Sequence, residues 1–241
     1  MSYVIEKRFM SGLPNYALTA VKYVIAHESG NANNCGPNAL ENEITYMNRN
    51  KANAFTSHWV GGGGRIVQIA PVNRVQYGCG PKGNPFSYAQ VELARTNIKE
   101  QFEKDYAAYV WLLRELAKDA GIPTILDGSG NGIKSHRWIT DHLKGTTHRD
   151  PFSYLMSMGI SEGQFKKDIL NGMDIPQQME KGDDCMKFTN ETTKAAVRDL
   201  IKQTVDKKLI DKSWLDKFDA GILTGGDFEG LKIIITQRSM Y

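Results

Sequence analysis

The run VKYVIAH, residues 21–27, constrains the fold more than any other part of the chain. It is apolar on both faces, whereas a strand with one wet face alternates apolar with polar residues. Such a segment belongs in the middle of a sheet that is covered above and below. Two stretches can supply the cover. NALENEITYMNRN (38–50) has a helical cast. KEQFEKDYAAYVWLLRELAKDAGIP (99–123) sets Phe102, Tyr106, Tyr109, Leu113 and Leu116 at steps of three and four, a single apolar stripe, and Gly121 and Pro123 stop it. Further strands are expected in AFTSHWV (54–60) and RIVQIAP (65–71), which flank GGGG (61–64) as a hairpin. In YAQVELART (88–96), Ala89, Val91 and Leu93 face one way, Gln90 and Glu92 the other. The expectation is an α/β domain: a central mixed β-sheet flanked by helices.

Composition shifts near residue 175, and all five histidines precede that point. MDIPQQMEKGDDCMKFTNE (173–191) is polar, with Pro, Gly and acidic residues, and suits a linker. The expected organisation is a larger domain over 1–174, a linker over 175–188 and a small, mainly helical domain over 189–241. In the last, a cap at Thr189 or Asn190 opens a helix whose expected stripe is Ala196, Leu200, Ile201, Val205 and Leu209. A short Trp-bearing helix, a glycine break and a last apolar segment follow. A core of about fifty residues is marginal alone, so packing on the larger domain and self-association both remain open.

Several function classes are disfavoured. With 41% hydrophobic and 24% charged residues the chain has a globular balance. A net charge of +3, from 30 basic and 27 acidic side chains, is too small to argue for a nucleic-acid partner. No window approaches the roughly 18 apolar residues of a membrane span, so no membrane insertion is expected. MSYVIEKRFMSGLPN carries no signal-peptide pattern. Cys35, Cys79 and Cys185 are odd in number and widely spaced, which reads as reduced thiols in a chain made in the cytoplasm.

Histidines carry the chemistry. KSHRWITDHL (134–143) and GTTHRDPFSYL (145–155) crowd His136, His142 and His148 together with Asp150. His27 closes the apolar strand, and strand ends are where α/β sheets hold sites. Each residue alone has a plain structural reading as a hydrogen-bonded polar group. Together His27, His136 and Asp150 supply two imidazoles and a carboxylate, suitable for a borderline cation such as Zn²⁺. Ligands so distant in sequence follow no spacing rule, so convergence is not established at this point. The glycine tract lacks the Lys-Ser/Thr ending of a phosphate loop and precedes a strand, which favours a hairpin turn. No G-x-S-x-G elbow is present, and neither Cys35 nor Cys79 sits in a protease motif.

In order along the chain come GLPNYA, KYVIAHESGN, AFTSHWVGGGGRIVQIAP, GNPFSYAQVELA, IKSHRW and TTHRDPFSYLMSMGISEGQFKKDI. This series resembles the type-2 N-acetylmuramoyl-L-alanine amidases, the family of phage endolysins and peptidoglycan recognition proteins, over roughly residues 9–171. The resemblance implies that family's fold and a single Zn²⁺ held by His27, His136 and Asp150. It implies Glu92 as the carboxylate that assists the reaction and His148 as the group two residues ahead of the third ligand. His58 is expected to pack structurally behind the site, and His142 to lie on the surface. The implied activity is hydrolysis of the amide between N-acetylmuramic acid and L-alanine in bacterial peptidoglycan, by an enzyme that reaches the wall after the host membrane is permeabilised. The small domain would bind the wall. Two alternatives stay open: a non-catalytic peptidoglycan-recognition module, and a zinc peptidase cutting within the stem peptide. The chain departs from many relatives at Ser57, where a tyrosine is common, and at QYGCG (76–80), where a histidine is common.

Overall fold

The computed structural model describes residues 3–173, 186, 188–221 and 223–239. The chain forms two compact units, Met1–Met173 and Asp174–Tyr241. The first contains β1 (Ile5–Lys7), β2 (Tyr23–Glu28), α1 (Ala39–Asn50), β3 (His58–Gly61), β4 (Arg65–Gln68), β5 (Ser87–Leu93), α2 (Lys99–Asp119), β6 (Gly132–Ser135), α3 (His136–His142), α4 (Phe152–Ser157) and α5 (Glu162–Asn171). The six strands form one sheet in the order β1-β4-β3-β5-β2-β6. The β3–β4 hairpin is antiparallel and every other pairing is parallel, so the sheet is mixed.

Side-chain alternation divides this sheet into two faces. Val24, Ala26, Val60, Ile66, Ala89, Val91 and Leu93 pack with the stripe of α2, and Phe152, Phe165 and Ile169 extend the same core. On the opposite face, Trp59, Val67 and Ile69 pack with Leu40 and Ile44 of α1. Tyr23 and Ile25 pack there too, against Ile139 of α3. β2 is thus buried throughout, as its two-sided apolar run requires. Each fully buried Val or Ile on it contributes about 1.5–3 kcal/mol relative to exposure. Because α1 covers one end of this second face and α3 the other, the sheet between them is left for polar residues.

The glycine tract turns the β3–β4 hairpin, with positive φ at Gly62, Gly63 and Gly64. The N–H groups of Gly63 and Gly64 donate to Asp105 Oδ1 of α2 at 2.7 and 2.5 Å. The donors that an anion would need are therefore already engaged within the fold.

The second unit contains α6 (Glu191–Asp206), α7 (Ser213–Asp219) and α8 (Gly225–Ser239). Asn190 caps α6, its side chain accepting from the Thr193 N–H at 2.8 Å. A separate core gathers Ile201, Ile210, Phe218, Leu223 and Leu231. The last apolar segment is a helix. The expected stripe on α6 needs correction: Val197, Ile201 and Val205 face this core, while Leu200 is 39% exposed. The expected linker, 175–188, lies outside the described residues except for Met186 and Phe188, which pack against the same core. Cys35 and Cys79 are free thiols, and Cys185 lies outside the described residues. Among the described residues no helix is long and apolar enough to cross a membrane.

Candidate metal centre

Three segments converge where β2 and β6 end. His27 is the penultimate residue of β2 and shares its face with Tyr23 and Ile25. The Tyr109 hydroxyl anchors its carbonyl at 2.8 Å from below the sheet. His136 is the first residue of α3, whose N-cap Ser135 accepts from the Trp138 N–H at 3.0 Å and donates to Asp127 at 2.8 Å. Asp150 comes from the segment after α3. Its carbonyl accepts from the Arg137 N–H at 3.2 Å, and its Oδ2 accepts from the Glu28 N–H at 3.3 Å.

The side chains meet closely. His27 Nδ1 lies 3.1 Å from His136 Nδ1 and 3.2 Å from Asp150 Oδ2, and His136 Nδ1 lies 3.1 Å from Asp150 Oδ1. The far nitrogens are engaged elsewhere: His27 Nε2 with Gln90 Oε1 at 3.1 Å, His136 Nε2 with Thr146 Oγ1 at 3.0 Å. Burial alone would raise the Asp150 carboxyl, but the imidazoles of His136 and His27 beside it outweigh burial and hold the group below the usual carboxylate range. Burial also lowers His136, against the pull of Asp150. Three electron-rich atoms pointing at one another fit a shared cation better than they fit neutral imidazoles. A tetrahedral zinc site with ligand distances of about 2.0–2.1 Å spaces its ligands by about 3.3 Å, which the observed separations match. Two imidazoles and a carboxylate also suit zinc chemically.

Glu92 stands opposite His27 in the β2–β5 register and faces the same cleft. The residue is partly exposed, yet its Oε2 is shielded from solvent and has no hydrogen-bond partner. Among the described residues only the Ser29 hydroxyl shares that condition. Burial, and then the charges of Asp150, Glu28 and Glu43, raise the Glu92 carboxyl well above its ordinary value. Beside it, Glu28 is held by Arg95 through two hydrogen bonds of 2.6 and 2.7 Å. His148 is exposed at the mouth of the cleft and stacks on the His136 ring, with centroids 5.0 Å apart and planes 5° from parallel.

The structure thus brings His27, His136, Asp150, Glu92 and His148 to one cleft. His58 is buried within the sheet and bonds Ser57 Oγ at 2.9 Å. His142 is exposed and stacks on Trp138, away from the three convergent groups. Sequence reasoning missed Gln90 and Thr146 as partners of the imidazoles. For Gln90 the signal is its parity: it shares Glu92's face, opposite Ala89, Val91 and Leu93.

A family model described as N-acetylmuramoyl-L-alanine amidase matches residues 17–152. The chain is 50% identical over 173 residues to an endolysin of Listeria phage A511, covering 70% of this chain and 50% of that protein. It is 39% identical over 181 residues to a lytic amidase of Streptococcus pneumoniae phage HB-3, covering 73% and 55%. The chain therefore spans about half the length of these curated relatives. Among solved structures, the Staphylococcus aureus hydrolase AmiA, in complex with its ligand, matches with a TM-score of 0.63 at 26% identity, over 70% of this chain and 83% of that one.

Proposed function

The chain belongs to the N-acetylmuramoyl-L-alanine amidase family, and from that premise we propose that it acts as an endolysin-type hydrolase of bacterial peptidoglycan, cutting the amide between N-acetylmuramic acid and the L-alanine of the stem peptide. The observation that carries this reading is the pairing of a His27–His136–Asp150 cluster with an unpartnered carboxylate oxygen on Glu92 in the same cleft. His27, His136 and Asp150 would hold one zinc ion. Zinc bound by three protein ligands acts as a Lewis acid toward a carbonyl and acidifies water toward neutrality, to a pKa of about 7.

The chain's own residues account for the rest. Glu92, with its raised proton affinity and a free Oε2, accepts a proton from the attacking water and delivers it to the departing amine of L-alanine. His148, free at the cleft mouth, donates a hydrogen bond to the carbonyl oxygen as negative charge develops. Its stacking on His136 fixes the plane of the ring. The second unit, with a core of its own, serves as a wall-binding domain in this reading.

The test is a digest of purified cell wall with analysis of the new amino termini. Free L-alanine termini are expected, abolished by chelator and restored by zinc. Termini from within the stem peptide would identify a peptidase instead. Binding without any new termini would identify a recognition module. Full activity in rigorously metal-free protein would remove zinc from the reading.

A further inference from the structure

Residues 76–84 carry no group that the proposed reaction uses, yet Gln76, Cys79 and Asn84 are buried next to the site. Their hydrogen bonds form a chain with only one consistent polarity. The backbone N–H of Cys79 can only donate, and it donates to Asn84 Oδ1 at 2.9 Å. That oxygen is an acceptor, so the Gln90 carboxamide 3.2 Å away turns its Nε2 toward it. The same Nε2 also reaches the Gln76 carbonyl, at 3.4 Å. Gln90 Oε1 is then left facing His27 Nε2 at 3.1 Å. A carboxamide oxygen cannot donate, so the proton sits on His27 Nε2 and the lone pair on Nδ1, the atom that faces His136 and Asp150.

We propose that Gln90, clamped by Asn84 and the Gln76 main chain, is a positioning residue that locks His27 in the Nε2–H tautomer and so presents Nδ1 as a metal donor. The proposal rests on the metal-centre reading above. The surrounding loop is built for close approach. A Cβ on Gly78 would lie 2.3 Å from Gln90 Oε1, and one on Gly83 would lie 2.7 Å from Cys79 Sγ. The departure QYGCG thus places its glycine against the Gln90 side chain. Thr146 cannot play the same part for His136, because a hydroxyl either donates or accepts and leaves the tautomer open.

The test uses the full chain. In the metal-free wild type, ¹⁵N spectra of the imidazoles should show His27 protonated at Nε2; protonation at Nδ1 overturns the proposal, with no variant needed. Gln90→Met, of similar length but without the acceptor, should weaken zinc binding in a chelator competition by about 10–100-fold. Gln90→Glu keeps an oxygen toward His27 but sets its second oxygen against Asn84 Oδ1 and the Gln76 carbonyl, so it should recover only part of that loss. Melting of the metal-free variants is the control for folding. Unchanged zinc affinity in a folded Gln90→Met overturns the proposal. A wild type that binds no zinc counts against the metal reading instead, and the tautomer measurement still decides this one.

Discussion

Glu92 is a carboxylate whose Oε2 lacks both solvent and a partner, a condition that costs about 1–3 kcal/mol or more for a charged group. The proposed reaction would account for such a group where packing does not. Glu92→Gln keeps the shape and removes the titration, so the protein should still bind one zinc ion while wall hydrolysis falls by about 10²–10⁴-fold. Parallel zinc analysis and turnover assays check this, and turnover close to wild type would take Glu92 out of the mechanism. At this scale His27, His136 and Asp150 were named by the resemblance rather than by any spacing, and the fold brings them together. The part that the supporting amides play was not legible in the sequence, although parity places Gln90 on the cleft face. What Gln90 does depends on Asn84, Gln76 and His27, which reach it from 6, 14 and 63 positions away, and no local pattern marks such an arrangement.

Among the elements, β3 shows how tertiary pairing edits a sequence pattern. The apolar cast of residues 54–60 suggested a strand from 54, but β3 begins at His58. Phe55 instead exchanges backbone hydrogen bonds with Tyr77, and Ser57 spends its hydroxyl on Gln90. α6 shows the complementary ambiguity. Leu200 and Ile201 are adjacent, so either can anchor a stripe of four-residue steps, and only the fully buried Ile201 reveals which faces inward. β3 also carries an acid liability. Burial pushes the His58 imidazole down to about 3, so the folded chain refuses a proton that the unfolded chain accepts below about 6.5. Stability is therefore full above that point and falls by up to about 1.4 kcal/mol per pH unit as the pH drops toward 3. Denaturant titrations of His58→Gln should show a slope shallower by about that amount between about pH 6 and 4.5. An unchanged slope would mean that His58 is protonated in the folded sheet.

For the whole molecule, the family match spans 17–152 and stops short of the second unit, whose role follows from no shared motif. Its core of Ile201, Ile210, Phe218, Leu223 and Leu231 supports independent folding, and wall binding then predicts a separable activity. Residues 177–241 fused to a fluorescent reporter should decorate susceptible cells under the microscope. A folded fusion that leaves cells dark would reduce the unit to a stabilising extension. The fold of the larger unit was readable because β2 admits only one environment, and the smaller unit is helical as expected, in α6, α7 and α8.

Two histidines of the cleft, His27 and His136, sit at the ends of paired strands, β2 and β6, but Asp150 rides on the segment that joins α3 to α4. A cation shared by all three would therefore be a removable cross-link between the sheet and that segment. Holding the ion and holding the segment in place would become one equilibrium, in which each tightens the other. His148 lies on the same span, two residues from the link, so in the proposed reaction loss of the ion would also loosen the group assigned to the carbonyl.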